Sequence, residues 1–327
     1  MGAVQDMEAF EEGYRLLRED CGLVDLSWKR AVRFTGEDNK GWLQGQVTND
    51  LRKLEPGGAI NFCLCKPTGQ LEAMATMWSL PSQLIAVSHH AGANALMDRV
   101  KSNVVLEDVQ AQILDVEILS VQGPEATRTL SKLVTLPTLD AGQVEFEGTD
   151  VTLLRSNRSG YGGWDIILPR DAAKASKKLR KQFPAVSPQA FSAACLEAGI
   201  PSFGLDTDDK TLPPELGAAF MSTHVSFSKG CYAGQEVLMR IHSRGHTNRT
   251  WVGLVADEGL RVGDIIRHLN RDDAGRVTRV AYSPDFGFIA GAMLRNEAAF
   301  PGEIVRIQRE AGDIEAEVQE MPLLRFG

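Results

Sequence analysis

The chain contains the stretch Val116-Glu117-Ile118-Leu119-Ser120-Val121-Gln122-Gly123-Pro124, an apolar strand pattern that ends at a glycine and a proline. Proline is favoured at the first position of a helix, so a helix is predicted directly after it. Three further strands and a second helix follow, which gives the order β-α-β-β-β-α. These predicted elements are a helix near Glu125–Leu133, strands around Gln143–Phe146, Val151–Ser156 and Gly163–Leu168, and a helix near Asp171–Gln182.

An earlier stretch shows the same order of signals. It begins with the alternating strand Ala31-Val32-Arg33-Phe34, which is followed by Gly36 and a helical segment. An antiparallel sheet covered on one side by helices explains both stretches, so we expect two related α+β units of ferredoxin-like character. The remaining predicted elements of this stretch are a helix near Glu37–Val47, strands around Ala59–Cys65, Gln70–Trp78 and Gln83–Val87, and a helix near Ala91–Val100.

The segments outside the two stretches complete an α+β fold with a C-terminal antiparallel β-barrel. An amphipathic helix is predicted near Met7–Glu19, and a further helix is predicted near Pro188–Ala198. Beyond Thr250, short strands separated by Gly, Asp and Pro are typical of a small barrel. The predicted domains are 1–110, 111–249 and 250–327. The predicted barrel strands are Trp251–Ala256, Asp264–Leu269, Gly275–Ala281, Phe288–Leu294 and Glu303–Gln308.

Composition is that of an ordinary globular protein. The chain has 327 residues, 43% of them hydrophobic and 24% charged, and its formal net charge is −8. The acidic balance argues against general nucleic-acid binding, and no apolar run is long enough to span a bilayer. Five cysteines and no signal-peptide pattern at the N-terminus favour reduced thiols in the cytoplasm.

Positive charge is concentrated in one region of this acidic chain. Between His224 and Thr250 there are four fixed cations and one anion. Such an island can focus an anionic small molecule into a cleft, although most charged runs are simply solvated faces. The cations are Lys229, Arg240, Arg244 and Arg249, and the anion is Glu236.

A single cysteine lies among glycines in the run Lys229-Gly230-Cys231-Tyr232-Ala233-Gly234-Gln235-Glu236. A helix is predicted over Gln235–Ile241, with Glu236 and Arg240 four residues apart on one face. Cys231 would then lie just before a helix N-terminus, where the helix dipole and the Lys229 ammonium both favour the thiolate. The alternative is a buried, inert cysteine in a Gly-rich connection.

Two other pairs of residues have side chains that could ligate a metal. His242 and His246 are four apart, but Gly245 separates them and no fourth ligand is evident, so a metal site is not predicted. Cys63 and Cys65 share one face of a strand, where two small core residues are the commoner explanation than a metal or redox pair.

The octapeptide 229–236 resembles the signature of the YgfZ family, folate-binding relatives of the glycine-cleavage T-protein (aminomethyltransferase). Leu196-Glu197-Ala198-Gly199-Ile200-Pro201, Val121-Gln122-Gly123-Pro124 and the Ser283-Pro284 region extend the similarity along most of the chain. The resemblance implies the T-protein-like fold, with the two α+β units and the barrel around a central cleft. It also implies tetrahydrofolate or a derivative as the cofactor.

The resemblance assigns candidate roles to single residues. Glu72, in the predicted hairpin after Gly69, matches the catalytic acid, and Asp165 matches the carboxylate that holds the pterin. Chemically, a pterin needs flat walls and a carboxylate that accepts two hydrogen bonds from its amidine-like edge. The other implied folate-binding residues are Tyr161, Trp164, Glu197 and Arg240; the catalytic candidates are Cys231, Lys229 and Glu72; the motif residues are Gly230, Tyr232, Gly234, Gln235 and Glu236.

Two departures from the T-protein pattern separate the functional hypotheses. The T-protein has a second aspartate where this chain has Ala73, and an arginine where this chain has Cys195. The leading hypothesis is therefore a tetrahydrofolate-binding accessory protein that supports maturation or repair of iron–sulfur proteins through Cys231, with transient contacts to those proteins. The alternatives are a folate-dependent aminomethyl or methyl transferase, and a non-enzymatic scaffold that binds a partner through the loop Asp206–Glu215.

Overall fold

The structure is a computed structural model that describes residues 2–269, 271–309 and 312–324. The chain forms two compact units. The first contains the chain up to Phe191 together with Thr223–Gln235, and the second contains Ser192–Ser222 and the chain from Glu236 onward.

In chain order, the helices and strands up to residue 197 are α1 (Gly2–Glu19), β1 (Gly22–Asp25), β2 (Lys29–Thr35), α2 (Asn39–Gln44), β3 (Ala59–Cys65), β4 (Leu71–Leu80), β5 (Gln83–His89), α3 (His90–Asn103), β6 (Gln110–Ile113), β7 (Val116–Gln122), α4 (Ala126–Leu130), β8 (Ala141–Phe146), β9 (Thr149–Arg155), β10 (Gly163–Pro169), α5 (Ala173–Gln182) and α6 (Pro188–Glu197). The later elements are α7 (Ala218–His224), α8 (Gln235–Arg244), β11 (Arg249–Ala256), β12 (Ile265–His268), β13 (Arg271–Ser283), β14 (Gly287–Arg295), β15 (Ile304–Ile307) and β16 (Ile314–Gln319).

The first sheet has the strand order β3-β4-β5-β2-β6, and every pair in it is antiparallel. Its buried face follows the period of two expected for a strand: Leu71, Ala73 and Ala75 of β4 are buried, while the residues between them are partly exposed. This face packs with Phe34 and Phe62 in one apolar core. Glu72 therefore lies on the opposite face of β4.

The second sheet has the order β1-β7-β10-β9-β8, again antiparallel throughout. Its apolar core contains Leu153, Trp164 and Phe183 and includes Leu179 of α5. Ser120 and Asp165 lie directly opposite each other on β7 and β10. Because Trp164 points into the core, its neighbour Asp165 points to the other face of the sheet.

The two sheets share one topology, which confirms the predicted pair of related α+β units. When the first sheet is listed from β6 and the second from β1, the strand orders are β6-β2-β5-β4-β3 and β1-β7-β10-β9-β8. The central strands β2, β5 and β4 thus correspond to β7, β10 and β9. The two edge strands, β1 and β6, are not among the predicted elements. β1 precedes the first repeat but pairs with β7 of the second sheet, and the predicted boundary after residue 110 falls inside β6.

The C-terminal strands form a closed antiparallel barrel in the order β11-β14-β13-β12-β15-β16, as predicted. Its interior is apolar and includes Leu254, Ile266 and Leu294. β16 was not predicted, and it closes the barrel by pairing with both β11 and β15. Its burial alternates from Ile314 onward, as expected for a strand with one face inside a barrel.

Candidate functional site

Segment 224–229 is fastened to the loop that follows α2. The Thr48 hydroxyl donates to the carbonyl oxygen of His224 at 2.7 Å and accepts a hydrogen bond from the backbone N–H of Cys63 at 2.8 Å. The Ser226 N–H donates to the carbonyl oxygen of Thr48 at 3.0 Å. Thr48 thus ties the approach to the octapeptide to strand β3.

Lys229 is buried and extends this attachment. Its Nζ donates to the carbonyl oxygens of Gln44, Val47 and Asn49 at 2.6, 2.6 and 2.8 Å. Burial lowers the pKa of Lys229 to about 8. An ammonium has three donors, and three carbonyl oxygens accept them. The side chain therefore holds the loop in place, and its predicted effect on the thiol of Cys231 stays a prediction.

Tyr232 is buried on the other side of Cys231. Its ring lies 5.0 Å from Lys229 Nζ, measured to the ring centroid, within the range of a cation–π contact. Burial is the main cause that raises the pKa of its hydroxyl, and the nearby thiols of Cys65 and Cys63 add to the effect. Among the described residues this hydroxyl has no hydrogen-bond partner. Lys229 and Tyr232 together fix the backbone on both sides of Cys231.

Gly234 packs against the turn between β3 and β4. Its φ is +84°, and a Cβ there would lie 2.6 Å from the carbonyl oxygen of Lys66. Only glycine fits this conformation and this distance. The octapeptide therefore lies on the hairpin that carries Glu72, and α8 begins at Gln235, as predicted.

Cys231 differs from the other cysteines in its exposure. All five lie in the described part of the chain; Cys231 is exposed, and Cys21, Cys63, Cys65 and Cys195 are buried. Burial raises the pKa of the Cys63 thiol well above its usual range and that of Cys65 to about 12. The predicted inert role of Cys63 and Cys65 agrees with this burial, and Cys231 is the thiol that solvent can reach.

Glu72 forms an ion pair. One carboxylate oxygen accepts a hydrogen bond from Arg99 Nη2 at 2.6 Å, and the same nitrogen donates to the carbonyl oxygen of Cys65 at 2.8 Å. Arg99 had not been predicted as part of the site. Ala73, in the place of the second aspartate, lies in the apolar core. Glu72 thus has a fixed cationic partner, and no second carboxylate stands beside it at residue 73.

Asp165 is completely buried in a polar cluster between the two sheets. It accepts hydrogen bonds from the hydroxyls of Ser120 at 2.7 Å and Ser156 at 2.8 Å. Arg158 donates from Nη2 at 2.5 Å and from Nε at 3.2 Å to Oδ2. Burial alone would raise the pKa of Asp165, but the Arg158 guanidinium and the two hydroxyls outweigh it and lower the pKa.

Gln122 and Trp78 complete the surroundings of Asp165. The Gln122 amide donates to the hydroxyls of Ser120 at 2.8 Å and Ser156 at 3.1 Å. The ring centroid of Trp78 lies 5.8 Å from Arg158 Cζ. The flat aromatic wall beside this cluster is therefore Trp78 of the first sheet, a residue that the sequence did not single out.

The aromatic residues predicted to surround a pterin do not all meet at Asp165. Trp164 lies in the core on the opposite face of β10, where its Nε1 donates to Thr127 Oγ1 at 3.0 Å. This corrects the expectation that Trp164 and Asp165 face one ligand. Tyr161 lines a cavity of about 240 Å³ with Arg155, Ser156 and Asn157, and Asp165 is not among the lining residues of that cavity. The ring of Tyr161 lies 5.5 Å from Arg18 Cζ.

Glu197 and Arg240 belong to the second unit. Glu197 is buried at the end of α6, and its carbonyl oxygen accepts a hydrogen bond from Leu324 N at 3.1 Å. Glu236 and Arg240 are both exposed. Their spacing on one face of α8 predicts that Arg240 holds Glu236, but no ion pair joins these two described residues. Whether Glu197 and Arg240 contact folate stays a prediction.

The predicted cationic island is partly neutralised. Arg249 pairs with Asp208 at 3.0 Å and with Glu215 at 2.9 Å, both in the loop predicted to bind a partner. The side chain of Arg244 lies outside the described residues. Because Arg249 has two anionic partners of its own, it contributes less to an anion-attracting surface than the sequence suggested.

Comparison with known proteins places the chain in a family. The sequence profile described as the GCVT N-terminal domain matches residues 4–229, and the glycine cleavage T-protein C-terminal barrel domain matches residues 249–324. The chain belongs to the glycine cleavage T-protein family. Members of this family bind tetrahydrofolate derivatives as substrates.

Similar proteins carry the name aminomethyltransferase. The one from Thermosipho melanesiensis is 25% identical over 94% of this chain and 87% of its own length. The one from Burkholderia multivorans is 26% identical over 97% of this chain and 89% of its own length. The crystal structure of aminomethyltransferase T from Bartonella henselae superposes with a TM-score of 0.87 at 21% identity, covering 96% of this chain and 89% of that one. The T-protein-like fold is thereby confirmed.

Within the T-protein family fold, the structure adds residues that sequence reasoning missed. Ser120, Ser156 and Arg158 surround Asp165, and Arg99 pairs with Glu72. Ser120 and Gln122 are polar residues at alternate positions of β7, separated by apolar Val121, which is a signal for a polar face. No helix in the described part of the chain is long and apolar enough to cross a membrane.

Proposed function

We propose that this protein binds tetrahydrofolate and supports iron–sulfur proteins through the thiol of Cys231. The observation that carries the proposal is the contrast around this residue: Cys231 is exposed, whereas Lys229 and Tyr232, which flank it, are buried, and Lys229 is held by three hydrogen bonds. A thiol presented on a fixed backbone is arranged for reaction rather than for packing.

Folate binding is supported by membership of the T-protein family and by the chemistry of Asp165. A buried carboxylate beside a flat ring suits the amidine-like edge of a reduced pterin. The fit is incomplete in this conformation, because Arg158 already occupies the carboxylate. A pterin edge and this guanidinium cannot pair with the same oxygen atoms at the same time.

Aminomethyl transfer to tetrahydrofolate is the second candidate, and the names of the relatives favour it directly. In this case Glu72 would act as the acid–base group. Its ion pair with Arg99 and the apolar Ala73 argue for the first candidate, because no second carboxylate stands beside Glu72 at residue 73.

The two candidates are separated by comparing Cys231→Ser with Glu72→Gln. Calorimetry with tetrahydrofolate first establishes binding to the unaltered protein. Cells that produce only the Cys231→Ser variant should then lose activity of iron–sulfur enzymes, whereas Glu72→Gln should retain it.

Cys21→Ala serves as the matched control, because it removes a buried thiol. Two results together would replace the first candidate with the second. One is folate-dependent turnover of an aminomethyl donor that vanishes in Glu72→Gln, and the other is full support of iron–sulfur enzymes by Cys231→Ser. Absence of any folate binding would end both.

A further inference from the structure

The donor pattern on Asp165 has a chemical counterpart in the proposed ligand. Arg158 presents Nε–H and Nη2–H side by side to the carboxylate, with Nη2 2.5 Å from Oδ2 and Nε 3.2 Å from Oδ2 and 3.4 Å from Oδ1. The 2-amino and N3–H groups of a pterin form the same pair of parallel donors on a flat N–C–N unit. A guanidinium and a pterin edge therefore compete for one carboxylate.

We propose that Arg158 is an internal competitor for the ligand at Asp165, and that tetrahydrofolate binds when its pterin edge displaces this guanidinium. The inference rests on the proposed folate binding and adds a residue that sets the affinity of the protein for tetrahydrofolate. In the displaced state the pterin would lie beside Trp78, whose ring now flanks the guanidinium.

Displacement of Arg158 leaves the sheet intact. Arg158 lies in the loop between β9 and β10, outside the paired part of these strands. The pairing extends from Trp164 opposite Arg155 to Ile167 opposite Thr152. The side chain of Arg158 is 13% exposed, whereas that of Asp165 is fully buried. The guanidinium can thus move to solvent while Ser120 and Ser156 continue to donate to the carboxylate.

The loop has the glycine content that such a movement needs. Gly160 and Gly162 have φ values of +94° and +82°, and a Cβ at Gly162 would meet no atom within 4 Å. Backbone contacts anchor the loop. The Arg158 N–H donates to Gln122 Oε1 and the Gly160 N–H to Asn157 Oδ1, each at 2.8 Å, and the Gly162 N–H also donates to Asn157 Oδ1, at 3.1 Å. These contacts hold the loop through backbone N–H groups and do not use the guanidinium of Arg158.

The test measures tetrahydrofolate affinity by calorimetry in the unaltered protein, Arg158→Ala, Asp165→Asn and the double variant. Arg158→Ala should tighten binding by about tenfold or more, because a charge-assisted contact no longer competes. The gain should disappear when Asp165 is already Asn, which a general structural effect of Arg158 would not produce.

Two controls keep the test decisive. Arg170→Ala removes an exposed guanidinium that pairs with Asp115, and it should leave affinity unchanged. p-Aminobenzoyl-glutamate, which lacks the pterin, should bind equally to the unaltered protein and to Arg158→Ala. If Arg158→Ala does not fold, Arg158→Gln takes its place, since it removes the charge but keeps an amide donor.

Each result decides the inference. Binding by the unaltered protein without tightening in Arg158→Ala overturns the role of Arg158 and leaves the proposed function standing. Binding by Arg158→Ala alone supports the competition. Absence of binding in every variant overturns the inference together with the proposed function.

Discussion

Gly234 lies so close to Lys66 that the backbone of the octapeptide and the β3–β4 turn touch without room for a side chain. A Cβ on Gly234 would lie 2.6 Å from the Lys66 carbonyl oxygen. This backbone contact helps to fix the position of the exposed thiol of Cys231, three residues earlier, relative to the β3–β4 hairpin.

Gly234→Ala should destabilise the protein by about 1–3 kcal/mol, because it combines a positive φ with a clash against backbone. Urea unfolding measures the change. Gly230→Ala is the matched control within the same motif: a Cβ there meets nothing within 4 Å, so its effect should stay within about 0.5 kcal/mol. Equal effects of the two substitutions would contradict the packing of Gly234.

Lys229→Met should cost about 3 kcal/mol of unfolding free energy. The substitution keeps most of the side-chain volume but leaves the carbonyl oxygens of Gln44, Val47 and Asn49 without their donor. Lys53→Met removes an exposed lysine and should be nearly neutral. A neutral Lys229→Met would show that the ammonium does not hold the loop.

The ion pair of Asp165 should make stability depend on pH. Its pKa is lower in the folded protein than in the unfolded chain, where an aspartate has a pKa of about 3.9. The unfolded chain therefore takes up this proton first as pH falls, so the stabilisation is complete above about pH 4 and is lost below it.

Urea unfolding between pH 3 and pH 7 checks this for Asp165. The Asp165→Asn variant should be less stable by about 3 kcal/mol at pH 7, because Arg158 loses its counter-charge. The difference from the unaltered protein should narrow as pH falls below 4. A constant difference over the whole range would contradict the assigned pKa direction.

Thiol labelling should distinguish Cys231 from the buried cysteines. In the native protein an aromatic disulfide reagent should modify one thiol rapidly, and Cys231→Ala should abolish that fast phase. Under denaturing conditions all five should react. Rapid native labelling of Cys63 or Cys65 would contradict their burial.

Much of the fold could be predicted from sequence, because the repeated strands alternate apolar and polar residues clearly. β1 and β6 could not, since each is a four-residue edge strand that exists through its pairing with β7 or β2. A short run such as Gly22–Asp25 carries no periodicity of its own. The domain boundaries at 110 and 249 stay predictions.

The cysteine motif of the site could be predicted from the sequence, but the contacts between residues that are distant in the chain could not. The octapeptide marks Cys231 locally, whereas the partner of Asp165 on β7 is Ser120, 45 residues away. Which aromatic residue faces Asp165 depends on how two sheets pack. For this reason the sequence points to Trp164, the neighbour of Asp165, and Trp78 carries no local signal of its role.

The placement of β1 has a consequence for how the chain can be divided. The N-terminal segment supplies the outer strand of a sheet whose other members begin almost a hundred residues later. A fragment that starts at the second repeat would expose the hydrogen-bonding edge of β7, and a fragment of the first repeat alone would carry an unmatched strand. The two repeats are thus interlocked along the chain, and neither is a module that evolution or an experimenter can excise cleanly.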